Sequence, residues 1–387
     1  MTNVLSRLLS ALVVGLLAGC LFNGGGGGGG GGGSGSPTVP DPGPVVIEPP
    51  PVMVAYITGS GLHDLTAFDV DPATGALTQI AAPIPAGFNP MHVAVDPLGR
   101  FAYVAAIDSL AVSSYRLELP ARAPAFASES APDFRVRRVA VHPSGKSVYA
   151  ADEDNDRIAM FAVQETTGEL TPLGAGTVTT GLTPRSVMVH PNGRFAYVAN
   201  SGENTIGLYA INETTGVLTE IPGNLFLLPV DVALPFVLVI DPKGEFAYLG
   251  STGAGAENIS MFAVDSTTGA LTLLGTPIDI GGQNPEDIAV HPSGQFVYVV
   301  VGIEDRISAF ARVGNTLTYV GSFEVGESPS GVAVDVTGKF AYVTNTNDHT
   351  ISIFSINQET GVLTPRGERF ALPAGHFPRA IAIAQKK

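Results

Sequence analysis

Phe195-Ala-Tyr-Val-Ala-Asn200 is a six-residue, largely apolar run with a tyrosine at its centre, set between the turn residues Gly193 and Gly202. Similar runs surround Tyr56, Tyr103, Tyr149, Tyr248, Tyr298 and Tyr342, so the tyrosines recur at intervals of 44 to 51 residues. A fixed period of that length marks a chain built by stacking one supersecondary unit. Around Tyr197 the unit comprises four short runs: Arg185-Ser-Val-Met-Val-His190, Arg194 to Asn200, Thr205-Ile-Gly-Leu-Tyr-Ala-Ile211 and Val217-Leu-Thr-Glu220. Between them lie Pro191-Asn-Gly193, Ser201-Gly-Glu-Asn204 and Asn212-Glu-Thr-Thr-Gly216. Short runs rich in β-branched and aromatic residues, bounded by turn formers, predict strands, and four of them make one antiparallel blade. Pro97, Pro143, Pro191, Pro242 and Pro292 open equivalent Pro-x-Gly turns, in which proline presets φ and glycine accepts a positive one. Gly75, Gly168, Gly216, Gly269 and Gly361 mark a later hairpin, each one residue ahead of Leu-Thr.

The two ends of the repeat complete each other. The first unit begins at Val54-Ala-Tyr-Ile57 without an inner strand before it, and Arg379-Ala-Ile-Ala-Ile-Ala384 is an inner strand with nothing after it. Joining them predicts an all-β, seven-bladed propeller over residues 52–387, closed by its C-terminal strand and free of the exposed sheet edges that template aggregation. A closed ring of this kind is one cooperative, monomeric unit.

Residues 1–19 carry one basic side chain, Arg7, then the apolar stretch Leu8 to Leu17 and small residues before Cys20, which is a signal peptide pattern. Leu17-Ala-Gly-Cys20 resembles the bacterial lipobox, which implies lipidation at Cys20, the chain's only cysteine. Residues 20–51 hold ten consecutive glycines, Gly24 to Gly33, and then a proline-rich stretch, a composition that forms a tether rather than a core. The expected location is the bacterial cell envelope, lipid-anchored, with Leu21 after the cysteine favouring the outer membrane. The formal charge of −15 argues against nucleic acid as a partner.

Tyr342-Val-Thr-Asn345 spells the repeat of the YVTN-type propellers, and the pattern Pro-Arg, His-Pro-x-Gly-x-Phe-Ala-Tyr-Val, Thr-Thr-Gly-x-Leu-Thr resembles the seven-bladed lactonase-type family across residues 52–387. That resemblance implies a propeller fold and, as one possible activity, lactone opening of the 6-phosphogluconolactonase kind, a carboxylic ester hydrolysis. Members of the family share a Gly-Pro-Arg-His segment entering an inner strand and an Asn-Glu closing the next. Here Pro184-Arg185 keeps the arginine, but Ser186 stands at the histidine position and Ser201 follows Asn200 where the glutamate belongs. Arg137 occupies the place of a further histidine, and Glu203 reaches the site only if its loop turns inward. These replacements remove the groups suited to proton transfer near neutral pH.

Counting six residues back from each turn proline places Met91, Arg137, Arg185, Phe236 and Glu286 at equivalent inner-strand entrances, with Ser330 and Arg379 as the counterparts in the other two blades. Together they should crowd one mouth of the central channel. Arginines there suit a small anionic ligand, because the guanidinium fork grips carboxylate or phosphate in a bidentate manner. The competing reading pairs each arginine with a carboxylate such as Glu286 or Asp287 as a structural staple. His142, His190 and His291 share a position with Asp96, Asp241 and Asp335, which suits bonding within the turn rather than a metal. Asp152-Glu-Asp-Asn-Asp156 lacks the glycine and distal glutamate of a calcium loop, and no motif implies a metal or a cofactor. The residues by themselves favour a rigid platform for a protein, a glycan or a small anionic ligand. The alternative is a lactonase-like hydrolase acting on an extracytoplasmic lactone.

Overall fold

A computed structural model describes residues 51–118, 123–130, 133–223, 225–229, 232, 234–252 and 257–386. The expected signal peptide, Cys20 and nearly all of the tether lie outside the described residues. The remainder forms seven antiparallel sheets, four of four strands and three of five. The fourth blade shows the layout: Pro184–Val189 lines the channel, Phe195–Asn200 and Thr205–Ile211 follow outward, and Leu218–Glu220 with Phe226–Leu227 forms the rim. The inner strands of the other blades begin at Pro90, Val136, Pro235, Pro285, Pro329 and Pro378. Proline heads six of the seven inner strands, a position that gives up no ladder bond because the strand is an edge facing the channel.

The second strand is the one built on tyrosine. In blades two to seven all six of its residues are buried, as at Phe195–Asn200. Strands on both sides and a blade packed on each face leave it no solvent side, so it reads as a continuous apolar run rather than an alternation. The hydrophobic clusters accordingly lie between blades: Tyr103 and Phe101 pack with Val139 and Phe161 of the next blade, and Phe296 and Tyr298 with Val332 and Phe354.

Specific bonds reinforce this packing. The hydroxyls of Tyr149, Tyr197, Tyr298 and Tyr342 donate to the carbonyls of Gly216, Gly269, Gly361 and Gly75 in the following blade, at 2.6, 2.8, 3.1 and 2.9 Å. His190 Nδ1 accepts from the Asn192 N–H while its Nε2 donates to the Gly244 carbonyl of the next blade at 2.8 Å. His142 and His291 repeat this arrangement with Gly193 and Gly338. Asp241 instead accepts from the amides of Glu245 and Phe246 at the same turn position. The histidines are therefore turn and inter-blade fasteners.

The ring closes as the termini imply. Residues 378–386 pair antiparallel with Val52–Gly59, placing Tyr56 opposite Ala382, Gly59 opposite Pro378 and Val52 opposite Lys386. Val52 thus sits at the end of the ring opposite Arg379.

Candidate active site at the channel mouth

Each inner strand begins at the same face of the ring, and its second residue points into a common pit. The pit is lined by Met91, Arg137, Arg185, Phe236, Glu286, Ser330 and Arg379, with Arg138 as an eighth member, and encloses a cavity of about 40 Å³. The five positions counted back from the turn prolines and their two counterparts, Ser330 and Arg379, thus lie together. Arg138 escaped that count because it is the third residue of its strand.

The backbone leading to the pit is strained in a repeated way. Two residues before the lining position the chain takes a left-handed conformation at Asn89, Thr183, Leu234, Asn284, Ser328 and Phe377, with φ between 48° and 58°. For a β-branched residue such as Thr183 this costs about 1–2 kcal/mol, so something must hold it. The Thr183 N–H donates to Asp156 Oδ1 at 2.7 Å, Leu234 N–H to Asn204 Oδ1 at 2.7 Å and Ser328 N–H to Asp305 Oδ1 at 2.8 Å. Asn89 and Phe377 use the Nδ1 atoms of His63 and His349 in the same way. The last residue of the loop between the second and third strands therefore latches the entrance of the next inner strand and aims its lining side chain. The sequence carried a signal for this, since Asn, Asp and His tolerate the positive φ that these latch residues also adopt.

The arginines fall into two classes. Arg137 is bound to Glu153 of its own blade at 2.5 Å. Arg138 spans from the third blade to the sixth, donating to Asp287 Oδ1 at 2.8 Å and to the Glu286 carbonyl at 3.0 Å. Those blades are not neighbours, so this link crosses the channel and floors the pit. Both are staples of the kind the competing reading describes. Arg185 and Arg379 differ: each has a buried Nε without a hydrogen-bond partner, and neither forms an ion pair among the described residues. Arg185 stacks over Phe236, with 5.1 Å from guanidinium carbon to ring centre. Burial pulls the pKa of both guanidiniums down, Arg137 adds to the effect, and Glu286 opposes it. Guanidinium donors held in a pit with bonding capacity to spare are poised for an anionic oxygen.

Glu286 is the remaining ionisable lining residue. Burial raises its pKa above the usual glutamate value, outweighing the pull of Arg379, Arg138 and Arg137 in the opposite direction. A half-buried carboxylate so shifted is suited to exchanging a proton with a substrate.

Residues singled out by resemblance stand elsewhere. Ser186 is fully buried and bridges to the backbone of Leu238 in the next blade, and Ser201 is buried. Glu203 is exposed, with its carboxylate beside Gly181, and does not line the pit. In the acidic run, Asp152 bonds Arg157 at 2.7 Å and accepts from the Arg135 amide at 3.0 Å. Among the described residues no group of three or more His, Cys, Asp or Glu side chains could hold a metal ion.

The profile of the family described as "Lactonase, 7-bladed beta-propeller" matches residues 120–234 and 282–378. A 73-residue stretch is 34% identical to a 6-phosphogluconolactonase of Formosa agariphila, covering 19% of this chain and only 20% of that protein. The whole propeller is similar to the crystal structure of a candidate 6-phosphogluconolactonase of Bacteroides uniformis, with a TM-score of 0.75 at 20% identity over 86% of this chain and 99% of the other. It is also similar to a periplasmic gluconolactonase of Pseudomonas aeruginosa, with a TM-score of 0.72 at 18% identity over 86% and 99% of the two chains. At these identities the structural likeness is one of fold.

Proposed function

The chain belongs to the lactonase family of seven-bladed β-propellers, and from that premise we propose that it opens a lactone by hydrolysis at the arginine-lined mouth. The carrying observation is the grouping of two unpaired guanidiniums, Arg185 and Arg379, with the half-buried carboxylate Glu286 in one pit. A platform that binds a small anion, among the readings favoured by the residues alone, employs the arginines but leaves Glu286 beside them without a task. The family's missing imidazole and glutamate are then replaced from another blade.

In this reading Glu286 takes a proton from water as the water oxygen attacks the lactone carbonyl carbon. The displaced electron pair moves to the carbonyl oxygen, and Arg185 and Arg379 stabilise that oxyanion in a site that needs no reorganisation. Collapse breaks the bond to the ring oxygen, which takes the proton back from Glu286. The new carboxyl loses its proton to solvent, so each turnover releases one hydroxy acid anion and one proton.

Export and lipid anchoring through Cys20 belong to the same proposal. The Pseudomonas aeruginosa relative, described as periplasmic, supports the compatibility of this fold with a lactone substrate outside the cytoplasm. The test is a panel of sugar and aliphatic lactones followed by proton release. Wild type should give saturable turnover above the buffer rate, and Arg185→Ala or Arg379→Ala should lower kcat/KM by about 10²–10³-fold. Turnover that survives both substitutions would place the chemistry elsewhere.

A further inference from the structure

We infer that the lactone opened here carries no phosphate or other charge, so that its product is a monoanion; this rests on the hydrolase reading above. The argument is electrostatic. Four guanidiniums meet at the pit, those of Arg137, Arg138, Arg185 and Arg379. Three carboxylates oppose them: Glu153 on Arg137, Asp287 on Arg138, and Glu286 in the lining. Arg135 shares Glu153 at 3.6 Å and faces Asp154 at 3.7 Å, so with that pair included five charges against four leave one positive charge, which a single new carboxylate neutralises. A phosphate ester brings about 1.5–2 negative charges before any carboxylate has formed.

The surroundings discriminate in the same direction. The loops at the mouth end of the blades expose Asp108, Glu203 and Glu327, on a chain of formal charge −15. A dianion must cross that acidic rim, whereas an uncharged ring does not feel it. Within the pit, Met91 and Phe236 supply apolar surface from two separate blades, suited to the C–H groups of a ring.

The decisive comparison uses the purified full-length chain with glucono-δ-lactone and its 6-phosphate, measured in parallel by proton release at low ionic strength. The uncharged lactone should have the higher kcat/KM by about 10-fold or more. Its rate should be insensitive to salt, while that of the phosphorylated lactone climbs as salt screens the rim. Glu153→Gln adds one net positive charge at the pit and should narrow the gap. A phosphorylated lactone turned over as fast or faster, or a ratio that ignores both salt and Glu153→Gln, overturns the inference while leaving the hydrolase reading intact. Turnover of neither lactone, together with none across the sugar and aliphatic panel, removes the hydrolase reading and this inference with it.

Discussion

Tyr149 and Tyr103 occupy the same place in neighbouring blades but have different bonding. Burial pushes the Tyr149 phenol up to about 12, so it stays protonated and donates to the Gly216 carbonyl. Tyr103 has a buried hydroxyl with no partner, because the matching carbonyl, Gly168, is taken by the Ser114 hydroxyl at 2.7 Å. Chemical denaturation should therefore show Tyr149→Phe destabilising by about 1–2 kcal/mol. Tyr103→Phe should be neutral or slightly stabilising, since it removes an unsatisfied polar group. Equal losses at both sites would show that the hydroxyls do not act as fasteners. At Glu286 the raised pKa gives signs for two pH dependences. Activity needs the carboxylate, so kcat/KM should rise with pH along a limb lying above the usual glutamate value of 4.5. For stability, the folded chain binds more protons than the unfolded chain between 4.5 and the raised value, so this group's contribution falls as pH climbs through that window. A limb at or below the usual value would remove Glu286 from the proton-transfer role.

The element that closes the ring is Pro378–Lys386, paired along its length with Val52–Gly59. Deleting 378–387 should do more than trim a tail: it strips blade one of its inner strand, exposes the edge at Tyr56 and removes Arg379 from the pit. Loss of soluble, cooperatively unfolding protein is the expected result; an unchanged melting temperature would contradict the closure. Blade count, strand order and closure were all legible in the sequence because strand periodicity and turn chemistry are local. The mouth positions were legible for the same reason, since five keep one fixed offset from a turn proline and Ser330 and Arg379 follow as their counterparts in the repeat. Pairing was not. Nothing local says that Arg138 reaches Asp287 across the channel while Arg185 keeps a free Nε, because both facts depend on side chains brought together from distant blades. The latches from Asp156, Asn204 and Asp305 joined segments 23 to 30 residues apart and were missed likewise.

For the whole molecule, the chain enters the ring at Val52, which pairs with Lys386 at the face opposite the mouth. Seven residues of extended strand separate that end from the Arg379 end, about 23 Å at 3.3 Å per residue. Cys20→Ser should move the protein from the membrane fraction to the soluble fraction, because a peptide tether without its lipid has little affinity for a bilayer. It should leave kcat/KM unchanged; equal membrane recovery of both forms after a high-salt wash would end the lipoprotein proposal. The account as a whole turns on the mouth as a hydrolytic site assembled from residues that break the repeat. It is tested most directly by the rate of glucono-δ-lactone opening by wild type and by Glu286→Gln at matched protein concentration. Saturable turnover in wild type, with kcat reduced by about 10²–10⁴-fold in Glu286→Gln, is the predicted result. Turnover in wild type that Glu286→Gln retains in full would contradict it.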